Sequence, residues 1–305
     1  MSNAKHAPID DPFDFPALDA ALAGSRFAGN LHFFPAIDST NTYAMHQADA
    51  GAPDGSVYCA DEQTAGRGRG AHAWSSPPAS GLYVSILLRP RIAPADILWL
   101  SLAAGLAIHD AIQSVTSLQP DLRWPNDLLF GPRKFCGILT ELNAEVTRVR
   151  HVVIGIGINV HQPRFPPELS PIATSLFIET GRNWPRQDLF LALLQSLDRE
   201  VTALASPDPQ STIETAAQSI RARLEQRSSW IRGKRVRVEE GDPFTGITEG
   251  LDPRGFLLVR TPQGRRAVLS GGVRDASQPG IASHKTNAHK IETCSSSSTS
   301  TTPTP

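Results

Sequence analysis

Three apolar stretches constrain the fold most: GLYVSILLR (81–89), FCGILTEL (135–142) and HVVIGIGINV (151–160). Short apolar runs of this kind read as buried strands, and the second and third lie close enough in sequence to pair. Between the first and second, Pro94 to about Val115 carries Ile97, Leu98, Leu102, Ala103, Leu106 and Ile112 at helical spacing, so a largely apolar, buried helix is expected. LHFFPAI (31–37) and SVYCAD (56–61) add strands, and DLRWPNDLLF (121–130) reads as two short strands broken at Pro125. Helices are expected over Phe15–Ala23, from Asn41 to about Ala50 behind the cap residues Asp38, Ser39 and Thr40, and near Gln187–Ala205 and Gln210–Gln226.

The chain divides by composition. Residues 1–14 read as a flexible lead-in, and 15–230 as one mixed domain. From Ile231 to Val273 the pattern changes to short strands (KRVRVEE, GITEGLDPRGFLLVR, RRAVLSGG) separated by GDP, DPRG and TPQG turns, a small all-β domain that we bound at 231–276. The tail, 277–305, is Ser/Thr/Pro-rich and expected to be disordered. A 305-residue chain has room for two such domains.

Charge and cysteine content exclude several classes. A formal net charge of -1 argues against a general binder of nucleic acid or anionic membrane. The three cysteines, Cys59, Cys136 and Cys294, lack CxxC spacing, so a disulfide framework or zinc site is not expected and a reducing cytoplasm fits. We find no signal peptide, and no apolar stretch long enough to span a bilayer is expected. The segment before Asp38 is too short for a three-helix DNA-binding domain.

The chemistry concentrates around DEQTAGRGRGAHAW (61–74). Gly66, Gly68 and Gly70 permit close backbone approach to a ligand, and Arg67 and Arg69 offer planar donor forks for carboxylate or phosphate. Such a loop should be mobile when empty and order around an anion; alone, it also fits a solvated surface loop. Gly66-x-Gly68-x-x-Ala71 matches a dinucleotide fingerprint only formally, because His72-Ala73-Trp74-Ser75-Ser76-Pro77-Pro78 is no helix start. No P-loop exists. Trp124-Pro125-Asn126-Asp127 sets two polar side chains between apolar runs, which favours a site role. Asn159, in an apolar strand flanked by glycines, fits close ligand approach and a simple bulge equally well.

Taken in order, Asp38-Ser-Thr-Asn41, Gln63-Thr-Ala-Gly-Arg-Gly-Arg69, Ser85-Ile-Leu-Leu-Arg89, Arg123-Trp-Pro-Asn-Asp127, Lys134-Phe-Cys-Gly-Ile-Leu139 and Gly155-Ile-Gly-Ile-Asn-Val160 resemble biotin protein ligase. The resemblance implies an α+β fold: a mixed β-sheet flanked by helices (the class II synthetase-like, biotin–lipoate ligase fold), then a small SH3-like β-barrel. It also implies a two-step reaction in which biotin and ATP give biotinyl-5′-adenylate, and a lysine of a biotin carboxyl carrier domain then takes the biotinyl group. The implied partner is the carrier domain of acetyl-CoA carboxylase or a related carboxylase. By the family pattern Ser39, Thr40, Asn41 and Gln63 line the biotin site. Gly66, Arg67, Gly68, Arg69 and Trp74 close over biotin and adenylate, and Lys134 contacts the carboxylate and phosphoryl oxygens. Asn126, Gly137 and Asn159 complete the site. Mg²⁺ is expected to bridge the triphosphate, with protein ligands that the sequence does not identify.

The second step needs a neutral amine, and a free lysine lies about three pK units, roughly 4–5 kcal/mol, from that form at pH 7. Asp127 is the candidate proton acceptor, with Asn126 orienting. Catalytic roles thus fall to Lys134, Arg69 and Asp127. The chain departs from the pattern at Ala71 and His72, where Gly and Arg are usual, and at Arg123, where Lys is usual. Trp184 reads as structural rather than adenine-covering. A lipoate or octanoate transferase and a non-catalytic biotin sensor are the competing readings. The pairing of GRGR with WPND opposes the first, and the phosphate clamp opposes the second. DNA and membrane partners are not expected; a homodimer through a sheet edge is compatible with the pattern.

Overall fold

The computed structural model describes residues 12–70, 72–205, 212–239 and 242–277. Most of the lead-in, Ala71 and all of the tail beyond Ser277 lie outside these. Phe13 and Asp14, expected in the lead-in, are built into the fold. Phe13 packs on Phe15, Phe33 and Phe190 with ring centroids 5.7–5.9 Å apart, and Asp14 accepts from Ala17 N to cap α1 (Phe15–Ala21). An aromatic cluster with a cap supplies the anchoring that composition alone does not reveal.

The central layer is a seven-stranded mixed sheet in the order β1-β2-β3-β7-β6-β5-β4. Its strands are β1 (Leu31–Ile37), β2 (Val57–Gln63), β3 (Gly81–Leu88), β4 (Asp121–Arg123), β5 (Asp127–Phe130), β6 (Arg133–Ala144) and β7 (Val149–Asn159). Only β1 and β2 run parallel; the remaining neighbours are antiparallel. The break between β4 and β5 falls at Pro125, as expected, with a cis Trp124–Pro125 bond.

Period-two alternation sends Leu82, Val84, Ile86, Ile154, Ile156 and Ile158 to one face, where they join α3 (Ile97–Thr116), α5 (Arg186–Leu204) and α6 (Ile213–Arg227) in the main core. By length and composition Pro94–Thr116 could cross a bilayer, against the sequence expectation. Here it is instead the core helix: 14 of the 20 residues of α3 are buried, from Trp99 to Thr116, so its apolar surface faces protein on most sides. The opposite face of the sheet is covered in part by α2 (Thr40–Asp49), through Ala44 and Ala48 against Leu87, Tyr58 and Val153. The rest of that face is open and forms the site. A further short helix, α4 (Leu176–Thr180), was not foreseen; it begins at Ser175, whose hydroxyl accepts from Ile178 N.

The small β domain is a five-stranded antiparallel sheet of order β11-β10-β9-β8-β12, from β8 (Arg232–Glu239), β9 (Phe244–Leu251), β10 (Leu257–Thr261), β11 (Gly264–Val268) and β12 (Gly272–Asp275). Its Val236, Val238, Leu257, Val259 and Val273 belong to the same core cluster as α3. Trp124 Nε1 donates to Gly255 O (2.9 Å), and Ser229 binds the Asp121 carboxylate through N (2.9 Å) and Oγ (2.5 Å). The WPND turn is therefore clamped by the second sheet, which fixes the cleft between them.

Candidate functional site

The floor of the cleft is a slot cleared by glycine. Strand register sets Tyr83, Gly157, Gly137, Asp127 and Arg123 side by side across five strands, and Ser85, Gly155 and Leu139 in the next row but one. A Cβ on Gly157 would lie 2.4 Å from Trp74 Nε1, one on Gly155 2.4 Å from Asn41 Oδ1, and one on Gly137 2.8 Å from Lys134 Nζ. The glycines thus admit the side chains that build the site. Gly157→Ala should lift the Trp74 indole off the floor and cost about 1–3 kcal/mol of stability. Thermal denaturation and near-UV circular dichroism read this, and an unchanged melt with unchanged indole bands would refute the packing role.

One wall is a buried polar network at the N-terminus of α2. Ser39 caps the helix, accepting from Thr42 N (3.4 Å). Gln63 Oε1 accepts from Thr40 N (2.9 Å) and Oγ1 (3.1 Å), while its Nε2 donates to Ser76 Oγ (2.8 Å). Ser85, fully buried on β3, donates to Thr40 Oγ1 at 2.8 Å, with Asn41 Oδ1 at 3.0 Å. Asn41 Nδ2 donates to Glu141 Oε2 (2.6 Å). Ser39 therefore caps the helix N-terminus as expected, and Thr40 and Asn41 hold the wall of the cleft in one orientation.

The Gly/Arg stretch is the lid. It forms a hairpin, with Gly68 N donating to His72 O (2.7 Å), Trp74 N to Gly66 O (2.8 Å), and an Arg67–Ala73 bridge. Gly70 takes the left-handed conformation at the tip, φ 67°. Arg67 meets Glu141 two-pronged, NH2 to Oε1 at 2.8 Å and NH1 to Oε2 at 3.0 Å. Arg69 NH1 donates to Gly271 O, in the turn that leads into β12 (3.1 Å). The sequence predicts a loop that waits for an outside anion; the structure shows a hairpin whose arginines are met by a carboxylate and a carbonyl of the chain itself. Trp74 lies half-buried on the floor, with the Lys134 ammonium 5.2 Å from its ring centroid. Its buried Nε1 has no hydrogen-bond partner among the described residues.

The charged end of the slot is set by Asp127, Arg123 and Lys134. Lys134 Nζ lies 2.5 Å from Asp127 Oδ1, and Arg123 donates to Oδ2 from NH2 (2.6 Å) and Nε (3.2 Å). Burial alone would raise the Asp127 pKa, but Lys134 and then Arg123 outweigh it and hold the carboxyl well below the usual carboxylate range. In this arrangement both Asp127 oxygens are occupied by cations and the carboxyl is held in its ionised form, which argues against the expected part of proton acceptor and favours that of a holder of Lys134 and Arg123. Asn126 fixes the turn: its Nδ2 donates to Ile138 O (2.9 Å) and its backbone carbonyl accepts from Ile138 N (2.9 Å). Cys136 and Cys59 are buried, and burial pushes the Cys59 thiol up to about 12, so neither is poised as a nucleophile.

Apart from Glu141 and the two cysteines, these groups line one cleft of roughly 1950 Å³ that runs from Ser39 to the second sheet. It contains the predicted Ser39, Thr40, Asn41, Gln63, Gly66, Arg67, Gly68, Arg69, Trp74, Asn126, Asp127, Lys134 and Gly137. Asn159 is not among its lining residues and is a correction. Its Nδ2 donates to Thr174 O (3.0 Å) and its Oδ1 accepts from Gln162 Nε2 (3.2 Å), so it ties down the chain that folds back over the end of β7. Sequence reading missed Ser85 and Glu141, whose signal was a polar residue in phase with Tyr83, or with Gly137, on an otherwise apolar strand. It also missed Lys234, Arg237, Glu239 and Arg274, which reach the cleft only because the second sheet docks there. Arg274 stands at the rim, half exposed, and partial burial and then the charge of Arg123 lower its pKa.

Comparison with known proteins agrees with this geometry. Residues 33–159 match the biotin/lipoate A/B protein ligase family, and 232–273 match the biotin protein ligase C-terminal domain. The chain is 35% identical over 273 residues to the biotin–[acetyl-CoA-carboxylase] ligase of Mycobacterium tuberculosis, covering 87% of this chain and 94% of that one. It is 35% identical over 249 residues to the bifunctional ligase/repressor BirA of Bacillus spizizenii, covering 80% and 73%. Among solved structures it is similar to biotin protein ligase from Aquifex aeolicus in complex with biotin and ATP, at 29% identity and a TM-score of 0.69, covering 81% of this chain and all of that one.

Proposed function

Because this chain belongs to the biotin protein ligase family, we propose that its cleft carries out each half of the family reaction with the residues just described. The activity is the ATP-dependent attachment of biotin to a carrier-domain lysine through biotinyl-5′-AMP. In the first half a biotin carboxylate oxygen attacks the α-phosphorus of ATP. A P–O bond forms, the bond to the bridging oxygen breaks, and pyrophosphate leaves. In the second half the neutral lysine nitrogen attacks the acyl carbon, a C–N bond forms, the acyl C–O bond breaks, AMP leaves with the electron pair, and the nitrogen gives up one proton to the departing phosphate or to water.

The uncharged bicycle of biotin fits beside the Thr40–Asn41–Gln63 wall, which supplies fixed polar groups along it, with Trp74 and Asn41 seated over Gly157 and Gly155. The observation that carries the reading is Lys134, an ammonium held by Asp127 where the slot meets the charged end. There it faces the carboxylate and the α-phosphate at once, so charge developing between two anions meets a preorganised cation. Arg67 and Arg69 close the hairpin over the mixed anhydride and keep water from it. Among the described residues no three His, Cys, Asp or Glu side chains cluster as a metal cage. Mg²⁺ therefore fits as an ion carried in on the triphosphate, where it would neutralise phosphate charge.

The acceptor is a biotin carboxyl carrier domain, and acetyl-CoA carboxylase is the proposed source. Wild type, with ATP–Mg²⁺ and biotin, should add one biotinyl mass to the lysine of a purified carrier domain. Arg69→Ala should lower that rate about tenfold, the value of one charge-assisted hydrogen bond. An octanoyl or lipoyl mass shift in place of biotinyl would move the chain to the sister activity.

A further inference from the structure

Glu141 stands outside the lining of the cleft, yet everything on the biotin side of the lid meets at it. It sits on β6, beyond the reach of β5, in phase with Gly137 and Leu139. One carboxylate accepts three bonds: Asn41 Nδ2 at 2.6 Å, Arg67 NH1 at 3.0 Å and Arg67 NH2 at 2.8 Å. Through Asn41 it continues into Ser85, Thr40 and Gln63. We propose that Glu141 is the positioning residue that latches the lid: it fixes the Asn41 amide on the pocket wall and the Arg67 guanidinium above it, and thereby sets how long the acyl-adenylate is retained. This rests on the ligase reading given above.

Two features separate a latch from a structural ion pair. Arg67 and Glu141 are 45% and 26% exposed, and pairs this open to water contribute little to stability. The geometry is nonetheless specific. With Nδ2 on Glu141, Asn41 must turn Oδ1 toward Ser85 and the Gly155 gap, where a Cβ would come within 2.4 Å. Removing the carboxylate frees the amide to flip, exchanging donor for acceptor on the wall. Glutamine cannot replace it. Its NH₂ would face a donor whichever way it turned, because all three partners are N–H groups.

The test uses the full chain with biotin and ATP–Mg²⁺ and no acceptor. Pyrophosphate release reports adenylate formed, and filtration followed by mass detection reports adenylate escaped into solution. Glu141→Gln should raise the rate of escape per adenylate formed about tenfold or more, with pyrophosphate release serving to normalise the escape, while the melting temperature stays close to wild type. Glu141→Asp, which keeps the charge but withdraws it by one methylene, should fall between. Arg67→Ala with Glu141→Ala should leak by clearly less than the product of the two single effects, since part of each acts through the other. Escape from Glu141→Gln at the wild-type rate would overturn the latch, as would two single effects that multiply. Absence of pyrophosphate from wild type would instead overturn the ligase reading itself, so the two failures are distinct.

Discussion

Lys134→Ala is expected to slow biotinyl-adenylate formation about 10²–10³-fold, the usual cost of one preorganised donor aimed at developing charge. No neighbour can substitute directly. Arg123 is committed to the far oxygen of Asp127, at 2.6 Å from NH2, and Arg67 to Glu141. The fold should tolerate the change, because Asp127 keeps both Arg123 contacts; the loss of one bond to a charged group costs at most about 1–3 kcal/mol. Lys134→Arg should recover only part of the rate. A planar fork longer than the ammonium must enter a space where even a Cβ on Gly137 would meet Nζ at 2.8 Å. Single-turnover pyrophosphate release beside a thermal melt separates catalysis from folding. A deficit under about fivefold would remove Lys134 from the chemical step.

The strands were readable almost to the residue because apolar alternation and turn residues are local signals. LHFFPAI, GLYVSILL and the break at Pro125 all stand where the pattern puts them. The site was readable in composition but not in direction. Asn126 and Asp127 are adjacent in sequence, yet one braces Ile138 and the other holds Lys134 and Arg123. Register across β4, β5 and β6, including the shift between Leu128 and Leu129, decides which neighbour each meets, and no single strand encodes that. Asn159 failed for the same reason: its partners, Thr174 and Gln162, arrive from a segment with no periodicity. The lid was expected to lack structure without an anion because composition sees its glycines and charges. It does not see that Glu141, far along the chain, comes to lie beneath Arg67.

The bond network around Asp127 makes Asp127→Asn a strongly destabilising change. The side chains of Arg123, Asp127 and Lys134 are 11%, 13% and 29% exposed, and the carboxylate is the shared partner of both cations. Without it two like charges remain close together with Arg274 facing them, a loss of about 3–5 kcal/mol for a mostly buried pair broken from one side. That corresponds to a fall in melting temperature of about 6–20 °C. The acid limb carries the same signature. The folded-state pKa of Asp127 is depressed, so its contribution is fully present above the unfolded carboxylate value of about 4 and is lost as pH falls below it toward the folded value. Wild type should therefore shed more stability below about pH 4 than the asparagine variant, which never had that share. Transfer to the carrier lysine gives the mechanistic test. Were Asp127 the proton acceptor, the deficit of Asp127→Asn would shrink toward pH 9–10, where more of the incoming lysine is already neutral. As the holder of Lys134 and Arg123, it should give the same fractional loss at pH 7 and pH 9, in adenylate formation and transfer alike. A deficit confined to transfer and vanishing at high pH would restore the base.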